Sequence, residues 1–170
     1  NDFYRVLPGT VREWPTGDVN VGIEKKTVYD TYDGYGNVTV LKEYGYSDLA
    51  GGDERTTYRW YVHRNAANGP WIVSLLAAEN VYPGIVTNDG CPGGSGNMIK
   101  QTLLYRDNAT AWNVTPSDVG KLTRIDTGNP CTTGMVTVAR YGYDPTYRNL
   151  NTITDTNGNV TTATFGGYGL

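Results

Sequence analysis

The residues best suited to do chemistry are few, because the chain has one histidine and two cysteines. A metal site needs several His, Cys or carboxylate ligands at ligand spacing, and His63 has no such neighbours in the sequence. Cys91 or Cys131 with His63 could form a nucleophile pair, although both cysteines are better explained by a bridge. Ser95 lies in the loop GGSG, which lacks the second glycine and the strand-turn-helix context of a nucleophile elbow.

Paired carboxylates are the other candidate chemistry. Asp53 with Glu54, or Asp30 with Asp33, could be imagined as the acid and base of a glycosidase. Adjacent acidic residues in turns are more often solvated caps that bind backbone amides. The sequence therefore predicts no catalytic residues, no metal site and no cofactor.

Cys91 and Cys131 both lie in loops rich in Gly, Pro and Asn, NDGCPGG and TGNPCTTG. Two such loops could bring the thiols together without disturbing regular structure, so we predict a disulfide; two unpaired thiols are the alternative. Closing a loop of about 40 residues would stabilise the fold by about 3–4 kcal/mol. Together with few charges and many Tyr, Thr and Gly, a disulfide indicates an oxidising, extracellular or cell-surface setting.

The composition favours β-structure over helix. The chain of 170 residues has 22 Gly, 14 Tyr and 4 Trp, which suits pleated strands separated by tight turns. Its net charge of −3 and its scattered Lys and Arg argue against nucleic acid as a partner. No stretch approaches the length of apolar residues that a membrane-spanning helix needs, so we predict a soluble, secreted chain in one domain.

Alternation of apolar and polar residues predicts a series of short strands separated by Gly, Asp, Asn and Pro clusters. A single helical turn is the most that Thr115–Gly120 could form, since Gly120 closes it. The fold class is therefore all-β, built of antiparallel hairpins. The predicted strands cover residues 19–29, 37–44, 54–63, 70–82, 98–106, 121–126, 132–143, 151–154 and 159–165.

One short motif recurs along the chain. Its first copy is Tyr32-Asp33-x-x-Gly36-Asn37, followed by Val-Thr. Parts of it return near the other end; these are Tyr143-Asp144, then Asp155 with Gly158-Asn159-Val-Thr, and a partial copy over residues 165–169.

The motif specifies a turn. An Asp carboxylate binds the backbone amides that follow it, as in Asx-turns. Gly supplies the positive φ of a tight turn, and Asn tolerates the same region. The β-branched pair that follows then begins a new strand. The repeated residues are therefore predicted to set turns and need no catalytic role.

These residues resemble the RHS or YD-repeat family, named for the Tyr-Asp pair. The likeness covers roughly residues 25–170, in segments such as TVYDTYDGYGNVT, PWIVSLLAAENVY and YGYDPTYRNLNTITDTNGNVTTATF. The resemblance implies YD-type hairpins stacked into one continuous twisted sheet, open at both ends. Residues 1–24 would end a preceding unit, residues 25–142 would form a first unit with long loops, and residues 143–170 a second unit that stops mid-repeat.

The resemblance also implies a function. Family members build hollow shells, around a toxin in bacterial proteins and on the cell surface in animal teneurins. This chain lacks the self-cleaving core signature and a toxin tail, and Phe165-Gly166 stands where Tyr-Asp is expected. We therefore expect a non-catalytic structural module that pairs through its sheet edges with further repeats or with identical subunits. It would build a shell, a filament or a surface structure, and a toxin-enclosing segment is an alternative.

Carbohydrate binding is the other alternative. Exposed aromatics such as Trp60 and Trp112 could stack on sugar rings, although cross-strand packing is the favoured explanation for them. Two Asn-x-Thr sequons outside the repeat turns, at Asn108 and Asn113, are candidate glycosylation sites in a secreted chain.

Overall fold

A computed structural model describes residues 9–14, 24–46, 52–64, 71–91 and 98–164, and all that follows concerns these ranges. They form ten β-strands, and no helix lies within them. The strands are β1 (Thr10–Glu13), β2 (Lys25–Tyr32), β3 (Val38–Tyr46), β4 (Arg55–Arg64), β5 (Ile72–Pro83), β6 (Lys100–Arg106), β7 (Leu122–Asn129), β8 (Gly134–Tyr143), β9 (Leu150–Asp155) and β10 (Val160–Thr162).

All ten strands belong to one antiparallel sheet whose spatial order is the order of the chain, from β1 to β10. Each strand pairs with the strands before and after it, and β1 and β10 do not meet. The sheet is therefore an open meander, and the predicted all-β fold class is confirmed. Register shifts interrupt five of the strand pairs, as in β2 with β3 and β4 with β5. Such bulges bend strands and increase their local twist.

Alternation along the central strands separates two faces. On one face, Trp60 of β4 lies opposite Ala78 of β5, which lies opposite Leu103 of β6. On the other face, Arg59 lies opposite Glu79, and their side chains form an ion pair of 2.9 Å. One face of the sheet centre is thus apolar and the other is polar.

The core lies on that apolar face. Ala78, Leu103 and Tyr105 are buried there, and Trp60, Trp112 and Met135 pack against them. Trp112 comes from the long connection between β6 and β7, which we call the 107–121 loop. The sheet has no second layer within the described ranges, so loops and aromatic side chains cover its apolar face.

The described strands lie close to the predicted ones, with one exception. β1 was not predicted, because its sequence TVRE has one apolar residue and shows no alternation. It is a strand because it pairs with β2. Thr115–Gly120, for which one helical turn was the most expected, contains none. The predicted stretch 19–23 and the partial motif copy 165–169 lie outside the described residues.

Candidate functional site

The first motif copy forms the tight turn between β2 and β3. Oδ1 of Asp33 accepts hydrogen bonds from the backbone N–H groups of Tyr35 and Asn37, each at 2.9 Å. The side-chain amide of Asn37 donates to Oδ2 of Asp33 at 2.8 Å. Gly36 has a φ of 82° and donates its N–H to the Asp33 carbonyl at 3.0 Å. One carboxylate thus binds most of the polar groups of the turn.

The turn between β9 and β10 repeats this arrangement. Oδ1 of Asp155 accepts from the N–H groups of Asn157 at 2.9 Å and Asn159 at 2.8 Å. The Asn159 amide donates to Oδ2 at 2.8 Å, and Gly158 has a φ of 85°. The two Asp-x-x-Gly-Asn segments therefore adopt the same hydrogen-bond pattern at opposite ends of the sheet.

Asp144 sets a wider turn, between β8 and β9. Its Oδ1 accepts from the N–H groups of Thr146 at 2.8 Å and Tyr147 at 2.7 Å. The positive φ, 60°, falls on Arg148 instead of a glycine, and the Asp144 N–H donates to the Asn149 carbonyl at 2.8 Å. The Tyr-Asp pair alone thus marks the end of a strand, and the Gly-Asn pair selects the tight form of turn.

The two motif tyrosines end β2 and β8. Tyr32 is half-buried and lies opposite Val38. Tyr143 donates its hydroxyl to the Leu122 carbonyl at 2.8 Å, and the Lys121 ammonium lies 5.1 Å from its ring centre. Burial raises the pKa of Tyr143. Tyr143 therefore ties the end of β8 to the start of the neighbouring strand β7.

The Asp33 turn is also tied to the start of β5. Asn37 donates to the Val73 carbonyl at 2.6 Å, and a ring nitrogen of His63, Nδ1, lies 2.9 Å from the same carbonyl. Nε2 of His63 lies 3.5 Å from Oδ2 of Asp33. Burial alone would raise the pKa of Asp33, but the hydrogen bonds from Asn37 and Tyr35 and the nearby His63 outweigh it. The pKa of Asp33 consequently lies below its ordinary value of 3.8.

The residues considered for catalysis have structural partners. His63 contacts the turn just described, and both cysteines are in a disulfide. Asp30 pairs with Lys42 at 2.8 Å, and Oδ2 of Asp53 accepts from the Tyr46 N–H at 2.8 Å. Ser95 lies outside the described residues. In the ranges that the structure describes, no group of three or more His, Cys, Asp or Glu is placed to hold a metal ion.

The predicted disulfide between Cys91 and Cys131 is present, with the two Cα atoms 5.6 Å apart. It joins the segment that follows β5, residues 84–91, to the turn between β7 and β8. That turn also holds Cys131 through its N–H, which donates to Oδ1 of Asn129 at 2.9 Å. The bridge thus links two connections that are 40 residues apart in the sequence. Disulfides form and persist in oxidising environments.

A buried tyrosine holds the 84–91 segment from the other side, and sequence reasoning missed it. Tyr82, with 1% of its surface exposed, donates its hydroxyl to Oδ1 of Asp89 at 2.6 Å and accepts from the Gly90 N–H at 2.8 Å. Burial, then the hydrogen bond to Asp89, raises the pKa of Tyr82 to about 12. Nothing in the local pattern VYPG distinguishes this tyrosine from the other thirteen in the chain. It is distinguished by its contacts with the 84–91 segment, which the sequence does not reveal.

Asp107 organises the 107–121 loop and was not predicted either. Its Oδ2 accepts from the N–H groups of Asp118 at 2.8 Å and Gly120 at 3.0 Å, and its Oδ1 from Lys121 at 2.8 Å. Arg106 fastens the same loop to β5 by donating to the carbonyls of Leu76 and Gly120. The signal in the sequence is an Asp directly after an aromatic strand, YRD, without the Gly-Asn that follows in the tight turns.

The two tryptophans singled out for stacking are brought together by the fold. Trp60 comes from β4 and Trp112 from the 107–121 loop, and their rings meet edge to face with centres 6.2 Å apart at 67°. Both are half-buried, and both pack on the Ala78, Leu103 and Tyr105 core. They therefore take part in packing while part of each ring remains open to solvent.

The sequons divide into two kinds. The side-chain amides of Asn37 and Asn159 bind the turn carboxylates, so the turns use them. Asn108 and Asn113 are exposed in the 107–121 loop. The structure thus leaves the two predicted glycosylation candidates accessible.

Comparison of the chain with protein-family models, with curated proteins and with solved structures found no match. The likeness to YD-repeat proteins therefore depends on the motifs themselves. Across the described residues, no helix is long and apolar enough to cross a membrane.

Proposed function

We propose that this chain is a non-catalytic structural module of YD-repeat type, which extends laterally when its sheet edges pair with further β-strands. Those strands would come from more repeats of the same protein or from identical subunits. The disulfide supports placing it outside the cell, where such bonds persist.

The observation that carries this proposal is the pair of open edges. Within the described ranges, nothing pairs with the outer side of β1 or of β10. An edge strand presents a row of unpaired N–H and C=O groups, which is a template for another strand. β10 has the sequence VTT, without charge or proline to discourage pairing, and all three residues are exposed.

The outward groups can be assigned from the ladder. Ala163 donates its N–H to the Asn151 carbonyl, and Thr161 lies opposite Ile153. Hydrogen-bonded and non-bonded pairs alternate in an antiparallel ladder, so the N–H of Thr161 faces β9 and that of Thr162 faces outward. The same rule, applied to the bond from the Tyr29 N–H to the Gly9 carbonyl, directs the N–H of Thr10 outward from β1.

This assignment gives a test with matched controls. Proline at Thr10 and Thr162 removes two outward donors and leaves the inward ladders intact. We expect the wild-type chain to associate end to end in sedimentation velocity and electron microscopy, and Thr10→Pro/Thr162→Pro to be monomeric. Thr10→Val/Thr162→Val, which keeps both N–H groups, should associate like the wild type. A wild-type chain that stays monomeric at every concentration, with the proline variant sedimenting identically, would show that the edges are inert.

A further inference from the structure

A small cavity opens on the apolar face of the sheet centre, where the two tryptophans meet. Its volume is about 180 Å³, and its walls come from three neighbouring strands and both covering loops. The lining residues are Trp60, Ala78, Asn80, Asp89, Gln101 and Trp112.

The floor and one wall are apolar. Ala78, only 1% exposed, leaves room above the sheet because its side chain is a single methyl group. Trp60 and Trp112 stand at 67° to each other beside it, so they form a corner instead of a parallel stack. An aromatic corner of this kind offers one ring face and one ring edge to an occupant, which suits the C–H groups on one side of a sugar ring.

The opposite wall is polar and fixed. The Gln101 amide donates to Oδ1 of Asn80, and the Asn80 amide donates to Oδ1 of Asp89, each at 2.8 Å. Tyr82 donates to the same carboxylate oxygen at 2.6 Å. Asn80 is 3% exposed, so its orientation is determined by this relay and by the strands around it.

The relay leaves polar atoms for a ligand. Within the described part of the chain, no hydrogen bond engages Oε1 of Gln101 or Oδ2 of Asp89. A carboxylate oxygen and an amide oxygen are both acceptors, and two such residues lining one cavity are complementary to the hydroxyl groups of a ligand. The amide N–H groups that remain can donate to the oxygens of the same hydroxyls.

Size and charge narrow the class of ligand. Pockets for drug-sized molecules are about 300–1,000 Å³, so this one suits a single ring. The lining contains one carboxylate and no cationic residue, which disfavours an acidic sugar. Hydroxyl-binding acceptors beside an aromatic corner disfavour a purely apolar ligand, because the carboxylate would lose its water without a partner.

We propose that this cavity, which we call the Trp pocket, binds one neutral pyranose ring of a glycan. The ring would stack on the corner of Trp60 and Trp112, and two adjacent hydroxyls would donate to Asp89 and Gln101. This binding does not depend on the sheet edges, so it goes beyond the proposed structural role and can fail or succeed separately from it.

The test is a titration of the full chain with the methyl glycosides of glucose, galactose and mannose, followed by NMR of the tryptophan indole N–H signals. We expect at least one glycoside to shift the signals of Trp60 and Trp112, with the weak, roughly millimolar Kd typical of a single ring. Trp112→Ala should weaken binding at least about tenfold. Trp71→Ala is the matched control, since Trp71 is 71% exposed and does not line the pocket.

A second variant separates binding from folding. Gln101→Met keeps the side-chain length and removes one link of the relay together with the acceptor Oε1, so binding should fall. Tm should fall as well, because Oδ1 of the buried Asn80 loses its donor, but below Tm the circular dichroism spectrum should remain that of the folded wild type. The proposal is overturned if no glycoside shifts the two indole signals at about 50 mM. Equal loss of binding in Trp71→Ala, or preferential binding of methyl glucuronide in place of the neutral glycosides, would overturn it as well.

Discussion

At the scale of single residues, the repeated Asp, Gly and Asn act through backbone geometry. Asp33 and Asp155 accept the same set of hydrogen bonds, and Gly36 and Gly158 have φ values within a few degrees of each other, 82° and 85°. These roles were predictable, because a carboxylate followed by Gly-Asn satisfies a tight turn within a few residues. The contacts of His63 and Tyr82 were not predictable, since their partners lie on other elements.

Gly36→Val should destabilise the protein by about 1–2 kcal/mol, because a β-branched residue resists a φ of 82°. Thermal unfolding of the variant measures this loss. Gly34→Ala is the matched control in the same turn, since a Cβ at Gly34 meets nothing within 4 Å and its φ is not positive. Equal stability of Gly36→Val and Gly34→Ala would contradict the assigned turn.

Asp33→Ala should cost about 2 kcal/mol, because it leaves the amides of Tyr35 and Asn37 without their charged acceptor. Asp155→Ala should cost less, since that turn is fully exposed and water can replace the carboxylate. Chemical denaturation of the two variants beside the wild type gives the comparison. The opposite order would show that the links from the Asp33 turn to β5 contribute nothing.

The same carboxylate predicts a pH dependence. The pKa of Asp33 is lowered in the folded state, so its contribution is fully present above the ordinary value of 3.8 and is lost as the pH falls through the lower folded pKa. The difference in stability between wild type and Asp33→Ala should therefore be constant near neutral pH and shrink below about pH 4. Denaturation curves at several pH values test this, and a difference that grows on acidification would refute it.

At the scale of elements, the sheet needs its loops because its described strands form one layer. The 107–121 loop and the 84–91 segment cover the apolar face that a second sheet or helices would otherwise cover. Alternation of apolar and polar residues predicted most of the strands. Their pairing is simple as well, since each strand pairs with its neighbours in the chain. Alternation could not predict where the loops would pack, because Trp60 and Trp112 are distant in sequence and Asp107 acts on residues more than ten positions away.

The disulfide should stabilise this arrangement by about 3–4 kcal/mol, as expected for a closed loop of about 40 residues. Reduction of the wild type, or Cys91→Ser/Cys131→Ser, should lower the midpoint of chemical denaturation accordingly. A reductant should have no further effect on the double variant, which serves as the control. Identical midpoints for oxidised and reduced wild type would mean that Tyr82 and Asp89 hold the segment without the bridge.

At the scale of the whole molecule, the order of strands in space equals their order in the chain. The motifs predicted this continuity, since each copy within the described residues is a connection between consecutive strands. They could not predict what lies beside β1 and β10, because an edge is complementary to any strand of suitable length. Each end strand pairs with one neighbour only, so the rest of the sheet depends little on its end.

Truncation after Tyr143 should therefore leave β1–β8 folded. The lost hairpin, β9 and β10, pairs with the remainder through β8, and the connection before it adds an exposed ion pair of 3.2 Å from Arg148 to Asp118. Hydrogen exchange should show protection of the β4, β5 and β6 amides unchanged in the shortened chain, because the core lies on those strands. Loss of that protection would mean that the sheet folds as one indivisible unit.

A meander in which each strand touches only its chain neighbours can grow in steps. Since neighbouring strands are about 4.8 Å apart, duplication of one hairpin-coding stretch of a gene would widen the molecule by about 10 Å and disturb nothing already built. Descendants of such a chain would differ in width by whole multiples of that increment, with the duplicated joints still marked by an Asp before Gly-Asn.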